Sequence, residues 1–473
     1  LRVSGYRRVW LIRYSSEIFT KGEGLKRNYI FLLQKNIEEA LRREGKEYKI
    51  WRDRDRVYVE CDDDLSGILG GIFGISSFSP SYHVEFLDLE DLKGKVAGIF
   101  GGEVKGKKFA VRAKVRDKNI SVRRLESEIG SALYPFSSGV DLENPEIQVN
   151  LEIRGRDVFI FTETRRGMGG FPSGTQGKAV SLISGGFDSA VASWLGLKRG
   201  LKLYFLLFDI GGIEHVRGTY SVVKKLYELW IFGYKPELFV MSATPLLRGL
   251  TSVKPKYRLI IIKRFMYRLA EILAKNLGAN AIITGESLGQ VSTQTMSMLG
   301  IIEEAINIPV FRPLIFMDKE EIIGLARKIG TYSISERIPE FCAIAPPPPP
   351  KLKLSDVKRE EEKVLNLLEE IVSTTKKLDI SSEAVIEDEL FISFVPQNAE
   401  VINLEEVDIY ELIDSVESLD RGKIYVFVCK EGVKSRQMAK LFRERGFRAF
   451  YTTLSSLLGT PLSQGHQDRN SGG

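Results

Sequence analysis

The string Ser184-Gly185-Gly186-Phe187-Asp188-Ser189 lies between an apolar, strand-like run (180–183) and a helix-like stretch (190–197). A strand, a glycine turn and a helix in that order define a βα unit. Repeated units of this kind build a parallel sheet covered on both faces. Gly185 and Gly186 let the main chain approach an anion closely, and the turn N–H groups and helix N-terminus supply positive potential. The motif is not of the Walker type, because no Gly-Lys-Ser/Thr follows at the required spacing. The plain alternative is a glycine-rich βα turn with no ligand.

Around this string the chain reads as an α/β multidomain protein. Residues 1–70 alternate strand (9–14), helix (25–43) and two strands about a charged turn (48–61), the pattern of an α+β ferredoxin-like module. Residues 71–166 carry helix 88–98, strand 107–114, a helix near 121–133 and strands 147–153 and 157–164. Gly167 to Gly177 is a Gly/Ser/Pro linker. Within 178–345, strands are expected at 179–183, 202–208, 237–241 and 280–284, with helices at 189–197, 217–230, 257–277 and 318–329. Residues 346–380 are a linker, opened by the proline run Pro346–Pro350 and continued as a charged helical stretch over 355–378. Residues 381–458 return to short strands and helices, and the polar, glycine-rich tail 459–473 is expected to be disordered.

With 473 residues, 43% hydrophobic and 27% charged, the chain is a soluble globular type with room for several cores. No apolar run reaches membrane-spanning length and no signal-peptide pattern opens the chain, so a cytoplasmic protein with no membrane partner is expected. Three cysteines, Cys61, Cys342 and Cys429, are too few for a disulfide framework and lack zinc spacing. The three histidines are scattered, so no His-based metal site or Ser-His-Asp triad is expected. Charge is uneven: residues 1–180 are net +5, 181–350 net +6 and 351–473 net −5. Residues 101–130 alone hold 9 Lys/Arg against 4 Asp/Glu. A polyanion bound by the front of the chain is one reading, and a solvated lysine-rich surface is the other.

Three further places carry chemistry. Residues 284–294, Thr-Gly-Glu-Ser-Leu-Gly-Gln-Val-Ser-Thr-Gln, follow an apolar strand and so reach the same sheet edge as the glycine string. There Gly285 permits close approach to a base or ribose and Gln294 offers an amide, although an ordinary polar loop reads the same way. Lys263, beside Arg264 on the 257–277 helix, is placed to neutralise phosphate charge, or is a surface lysine. Cys429 ends the strand 424–428 and opens Lys-Glu-Gly-Val-Lys-Ser before a helix near Arg436. Loop N–H groups, the helix N-terminus, Lys430 and Lys434 would all favour its thiolate. A phosphatase Cys-x5-Arg loop does not fit, since Arg436 lies seven positions after Cys429. A buried structural cysteine is the alternative. Cys61, before three aspartates, reads as structural.

These strings resemble the tRNA 4-thiouridine synthetase (tRNA sulfurtransferase) family in its long form with a C-terminal rhodanese-like domain. The resemblance rests on residues 182–189, 284–294, Arg-Pro-Leu-Ile (312–315), Pro-Glu-Phe-Cys (339–342) and the Cys429 loop. The glycine string is similar to the PP-loop of enzymes that split ATP to AMP and pyrophosphate. The resemblance implies a ferredoxin-like domain (1–70), a THUMP RNA-binding domain (71–166), a PP-loop domain (178–345) and a rhodanese-like domain (381–458).

The resemblance also implies roles. ATP, with Mg2+, would be held by Leu182, Ile183, Ser184, Gly185, Gly186, Ser189, Leu207, Phe208, Lys263, Gly285 and Gln294, with Asp188 as the catalytic acidic residue of the loop, acting through Mg2+. tRNA would lie on Lys105, Lys107, Lys108, Arg112, Lys114, Arg116, Arg123 and Arg124. Cys429 would carry persulfide sulfur from a cysteine desulfurase, and Cys342 would release it, leaving a redox-active Cys342–Cys429 disulfide. Sulfur supply for the thiamin thiazole is a further implied role, and the sequence leaves a homodimer open. Two features depart from the family. Five prolines follow Cys342, where they would set the swing of the rear domain. Val-Ile-Asn-Leu-Glu (401–405) also stands where Asp-x-Arg is usual. The competing readings are a small-molecule PP-loop synthetase or a tRNA 2-thiolase, and an RNA-binding protein with a degenerate ATPase.

Overall fold

The computed structural model describes residues 6–116, 121–338, 346–381, 388–407, 409–430 and 432–458. The chain forms two compact units, one of residues 1–175 with 198–200 and one of 176–197 with 201–473. The 459–473 tail lies outside the described residues.

The first unit is built on β1 (Arg7–Tyr14), α1 (Glu23–Arg43), β2 (Lys49–Arg52), β3 (Arg56–Glu60), β4 (Ile75–Glu85), α2 (Leu89–Phe100), β5 (Lys108–Val115), α3 (Val122–Leu133), β6 (Ile147–Arg154) and β7 (Asp157–Phe161). One sheet runs β2-β3-β1-β4-β7-β6-β5, completed by the short strands 139–140 beside β5 and 165–166 beside β4. Sequence reading overlooks β4, whose Ser-Ser-Phe-Ser-Pro-Ser core has weak strand propensity. Pro80 is tolerated because it faces Trp10 of β1 between the stretches of β4 that pair with β7 and with 165–166. β4 thereby joins the expected ferredoxin-like and THUMP segments into one sheet. Alternation along β5 sends Phe109 and Val111 into a core with Leu92, Val96 and Phe100 of α2 and Leu125, Ile129 and Leu133 of α3.

The second unit contains β8 (Lys178–Leu182), α4 (Phe187–Lys198), β9 (Lys202–Asp209), α5 (Ile213–Trp230), β10 (Glu237–Ser242), α6 (Pro255–Leu277), β11 (Ala281–Ile283), α7 (Met296–Glu303), β12 (Val310–Phe311), α8 (Lys319–Lys328), α9 (Leu354–Glu361), α10 (Leu367–Ser373) and β13 (Lys376–Asp379). Its sheet runs β12-β11-β8-β9-β10-β13, parallel except for β13. The chain moves from β8 outward to β9 and β10, then returns to the other side of β8 as β11. The strand order therefore reverses beside β8, where open α/β sheets take their ligands.

The stretch expected as a helical linker differs. α9, the turn after it and α10 bury Val357, Val364 and Ile371 in the same core as Ile260, Ile261 and Phe265 of α6. Residues 376–379 are a strand on β10, because pairing overrides a charged, helix-like sequence. Fully buried Arg264 locks this join. Its Nη2 and Nε lie 2.8 and 3.0 Å from Glu361 Oε2, its Nη2 lies 3.1 Å from Glu304, and its Nη1 reaches the Ile301 carbonyl.

Beyond the join, β14 (Ala399–Asn403), β15 (Ile424–Cys429), α11 (Val433–Glu444) and β16 (Arg448–Thr453) form a small three-stranded parallel sheet with its own apolar cluster.

Candidate active site

The glycine string connects β8 to α4. Gly185 holds φ +79°, a backbone state that favours glycine, and a Cβ there would meet Ile338 Cδ1 at 2.6 Å. Ser189 closes the turn: its hydroxyl accepts the Ser184 N–H at 3.2 Å and donates to the Gly186 carbonyl at 3.0 Å. Among the described residues the N–H groups of Gly185 and Gly186 meet no protein acceptor. Two donors beside a helix N-terminus remain for an anion.

The loop after β11 is pressed onto this turn. A Cβ on Gly285 would lie 2.6 Å from the carbonyl carbon of Asp188 and 2.7 Å from the Ser189 nitrogen, so only glycine fits. Glu286 anchors the loop. Its Oε2 accepts from Tyr267 at 2.6 Å, Arg312 Nε at 2.8 Å and Thr284 at 3.0 Å. Tyr267 hydroxyl deprotonation is pushed well up by burial and then by the Glu286 charge. Gln294 is turned inward, its Oε1 accepting the Ser287 N–H at 3.2 Å. Lys263 sits one helical turn before Tyr267 on α6, half-buried, and makes no ion pair among the described residues.

Asp188 is not a free acid. Lys319 Nζ lies 3.1 Å from its Oδ1, and Gln290 Nε2 donates to its Oδ2 at 2.9 Å. Neither partner was singled out from sequence. Lys319 opens a helix behind an ordinary capping box, so nothing local marks it. Leu182, Ile183, Leu207 and Phe208 are buried, and Leu182, Leu207 and Phe208 are paired within the sheet.

Cys429 ends β15 and is 1% exposed. The Ser435 N–H points at its sulfur from 3.4 Å, and the Ser435 hydroxyl, 3.3 Å from the sulfur, donates to the Thr452 carbonyl at 3.2 Å. One expected contribution is corrected: Lys434 is spent on Glu405, 3.1 Å away, because the β14 end faces the loop. Glu431 and Cys342 lie outside the described residues. The described chain stops four residues before Cys342, at Ile338 on the glycine turn. Cys61 has its thiol pushed up by burial, against a hydrogen bond from the Asp63 main chain.

The eight basic residues do not share one sheet face. Lys105 and Lys107 lie on the turn before β5. Lys108, Arg112 and Lys114 point away from the α2/α3 core, while Arg123 and Arg124 lie on α3 over the other face. Strand 139–140 pairs only Lys108 and Phe109, so β5 is an edge from Arg112 onward and both sets flank that edge. Arg116 lies 3.9 Å from Asp53, and Arg112 Nη1 donates to the Val111 carbonyl at 3.2 Å. No described helix is long and apolar enough to cross a membrane.

Three stretches match family models: residues 9–79 the ThiI ferredoxin-like domain, 87–163 the THUMP domain, and 174–366 the family described as thiamine biosynthesis protein (ThiI). A probable tRNA sulfurtransferase of Saccharolobus islandicus is 40% identical over 378 residues, covering 78% of this chain and 99% of the relative. Another from Sulfurisphaera tokodaii is 39% identical over 371 residues, with the same coverage. The crystal structure of a 4-thiouridine synthetase–RNA complex with bound ATP aligns with a TM-score of 0.71 at 33% identity, over 79% of this chain and 99% of that one. The three matched segments end at residue 366, so the Cys429 sheet lies beyond them. Almost the whole length of these relatives is contained in this chain, which therefore belongs to the ThiI family of tRNA sulfurtransferases.

Proposed function

We propose that this chain is an ATP-dependent tRNA sulfurtransferase that adenylates a uridine C4 oxygen and replaces it with sulfur carried as a persulfide on Cys429, giving 4-thiouridine. The observation that carries the reading is the seating of Gly285 on the Asp188–Ser189 main chain, which closes two nucleotide loops on one sheet edge. The solved relative with bound ATP and RNA supports both ligands.

The glycine turn donates to the phosphates and Lys263 offsets their charge. Mg2+ brought in with ATP would be held by Asp188, the carboxylate at the turn, in exchange for its Lys319 and Gln290 partners, and would supply charge neutralisation on the phosphates. Among the described residues no cluster of three acidic, His or Cys groups forms a separate metal site. The uridine O4 attacks the α-phosphorus and pyrophosphate leaves. The terminal persulfide sulfur, supplied by a cysteine desulfurase, then adds at C4, and AMP departs with the oxygen. The base is left joined through sulfur to Cys429. Cys342 thiolate attacks Cys429 Sγ, releasing 4-thiouridine and a Cys342–Cys429 disulfide, which a dithiol reduces. The same persulfide is the proposed sulfur source for the thiamin thiazole.

Purified protein, ATP, Mg2+, a persulfide donor and unmodified tRNA transcript are incubated, and nucleosides are read by mass spectrometry. Wild type is expected to release pyrophosphate and form 4-thiouridine, while Cys429→Ser releases pyrophosphate only. No pyrophosphate and no thiolated base from wild type would overturn the assignment.

A further inference from the structure

The Cys429 sheet meets the nucleotide domain at an exposed Arg248–Glu444 pair, 3.5 Å apart, and at a buried seam at the end of β9. Asp209 follows Leu207 and Phe208 directly and is 3% exposed. Its Oδ1 accepts the Gly212 N–H at 2.8 Å, and its Oδ2 lies 2.6 Å from Arg436 Nη1 on α11. Arg436 Nε reaches Asp388 Oδ2 at 3.0 Å, and Tyr451 donates to that same oxygen at 3.0 Å. One guanidinium thus bridges a carboxylate of each domain.

The seam around this pair is closely fitted. Tyr451 Oη accepts the Ile213 N–H at 3.2 Å. Thr453 and Ser456 hydroxyls lie 3.2 and 2.9 Å from Glu214 Oε1. Ile213 packs in the same apolar cluster as Cys429, and a Cβ on Gly212 would collide with Tyr451 Oη at 2.8 Å. The segment is tied equally to the glycine turn. His215 Nε2 donates to the Ser184 carbonyl at 3.2 Å while its Nδ1 accepts the Gly211 N–H at 3.4 Å, the tautomer that suits both partners. Residues 209–215 therefore touch the glycine turn on one side and the thiol-bearing domain on the other.

A carboxylate buried this deeply is costly without a cation. Among the described residues no lysine or arginine of its own domain pairs with Asp209. The nucleotide domain is in this sense built to receive Arg436. We propose that Arg436, acting through Asp209, is the positioning residue that seats the Cys429 loop on the nucleotide-bearing edge for sulfur transfer and shields the thiol while seated. This rests on the sulfurtransferase reading above and adds a residue and a contact to it.

The test uses full-length protein with ATP, Mg2+, tRNA transcript and a persulfide donor. Arg436→Gln attacks the seat from the thiol side. Glu214→Ala attacks it from the nucleotide side, away from both the glycine turn and the thiol-domain core. Both are expected to slow thiolation at least about tenfold while pyrophosphate release stays within about twofold, because only the second step needs the seat. Iodoacetamide should label Cys429 faster in both, and Arg436→Lys should recover part of the thiolation rate. Wild-type thiolation by both variants, or parallel loss of pyrophosphate release, overturns the seat. If Arg436→Gln misfolds the small sheet, Glu214→Ala decides alone. A wild type that neither adenylates nor thiolates refutes the function itself, a separate result.

Discussion

Replacing Gly285 by alanine tests the closure of the two loops most directly. The added Cβ would stand 2.6 Å from the Asp188 carbonyl carbon, 2.7 Å from its oxygen and 2.7 Å from the Ser189 nitrogen. All three are main-chain atoms, so no side chain can swing aside. Restoring an ordinary carbon contact of about 3.5 Å requires the start of α4 and the 284–294 loop to part by about 1 Å. Overpacking of this kind costs about 1–3 kcal/mol of stability. The larger effect is geometric, because a misplacement of about 1 Å at reacting groups can cost about 100-fold in rate. The assay is pyrophosphate release at saturating tRNA over a range of ATP, paired with thermal melting. A fall of about 100-fold in kcat/KM for ATP, with a melting point lowered by only a few degrees, is expected. Unchanged pyrophosphate release would show that the two loops do not form one nucleotide site.

Gly186→Ala is the complementary case: its Cβ would meet nothing nearer than Ser184 Oγ at 3.7 Å, so melting should not change while KM for ATP rises, and a normal KM would remove the phosphate from this turn. Glu361→Gln leaves the fully buried Arg264 short of its main partner and should cost about 3–5 kcal/mol in denaturant melts, a loss under about 1 kcal/mol contradicting the packing of α9 as core. Arg123→Ala with Arg124→Ala should weaken tRNA binding and lower the log–log salt slope by about 1–2, and an unchanged slope would place the RNA elsewhere. Burial alone would raise the Asp209 carboxyl, but the Arg436 guanidinium more than offsets this and holds it at about 2. A depressed acid stabilises fully above its unfolded pKa, so the seat should be constant from pH 8 to about 5 and weaken only as pH falls from about 4 towards 2. Cys429 labelling that accelerates between pH 7 and 5, after correction for thiolate fraction, would contradict this.

The glycine string and the 284–294 loop were legible in sequence because each follows an apolar strand and carries the glycine its contact demands. The parallel sheet was legible for the same reason, since strand and helix periods alternate cleanly from 178 to 330. β4 was not, because a serine-rich strand with a proline looks like a loop until its neighbours are known. Residues 376–379 were hidden by charge, since Lys376, Lys377 and Asp379 have no local reason to pair with β10. Lys319, Asp209 and Arg436 were missed for a third reason. Each acts through a partner more than 100 residues away, and long-range charge pairing leaves no periodicity to read. Lys434 beside Cys429 shows the converse, for its charge, readable from local sequence, is paired with Glu405 from a distant strand end.

Where the chain crosses from one domain to the other also decides what the proline run can do. Pro346–Pro350 precedes α9, α10 and β13, and all three belong to the nucleotide core, so the run cannot govern the swing of the Cys429 sheet. The crossing begins instead at Asp379, paired with Glu237 at the amino end of β10. It ends at Asp388, held by Arg436 beside Asp209 at the carboxyl end of β9. That climb is about five residues of strand height, about 16 Å, plus two strand spacings of about 10 Å sideways, or roughly 19 Å in all. The two ends of the crossing are therefore fixed by β10 and by the Asp209–Arg436 contact, and under the sulfur-transfer reading it is breaking that contact that should lower thiolation.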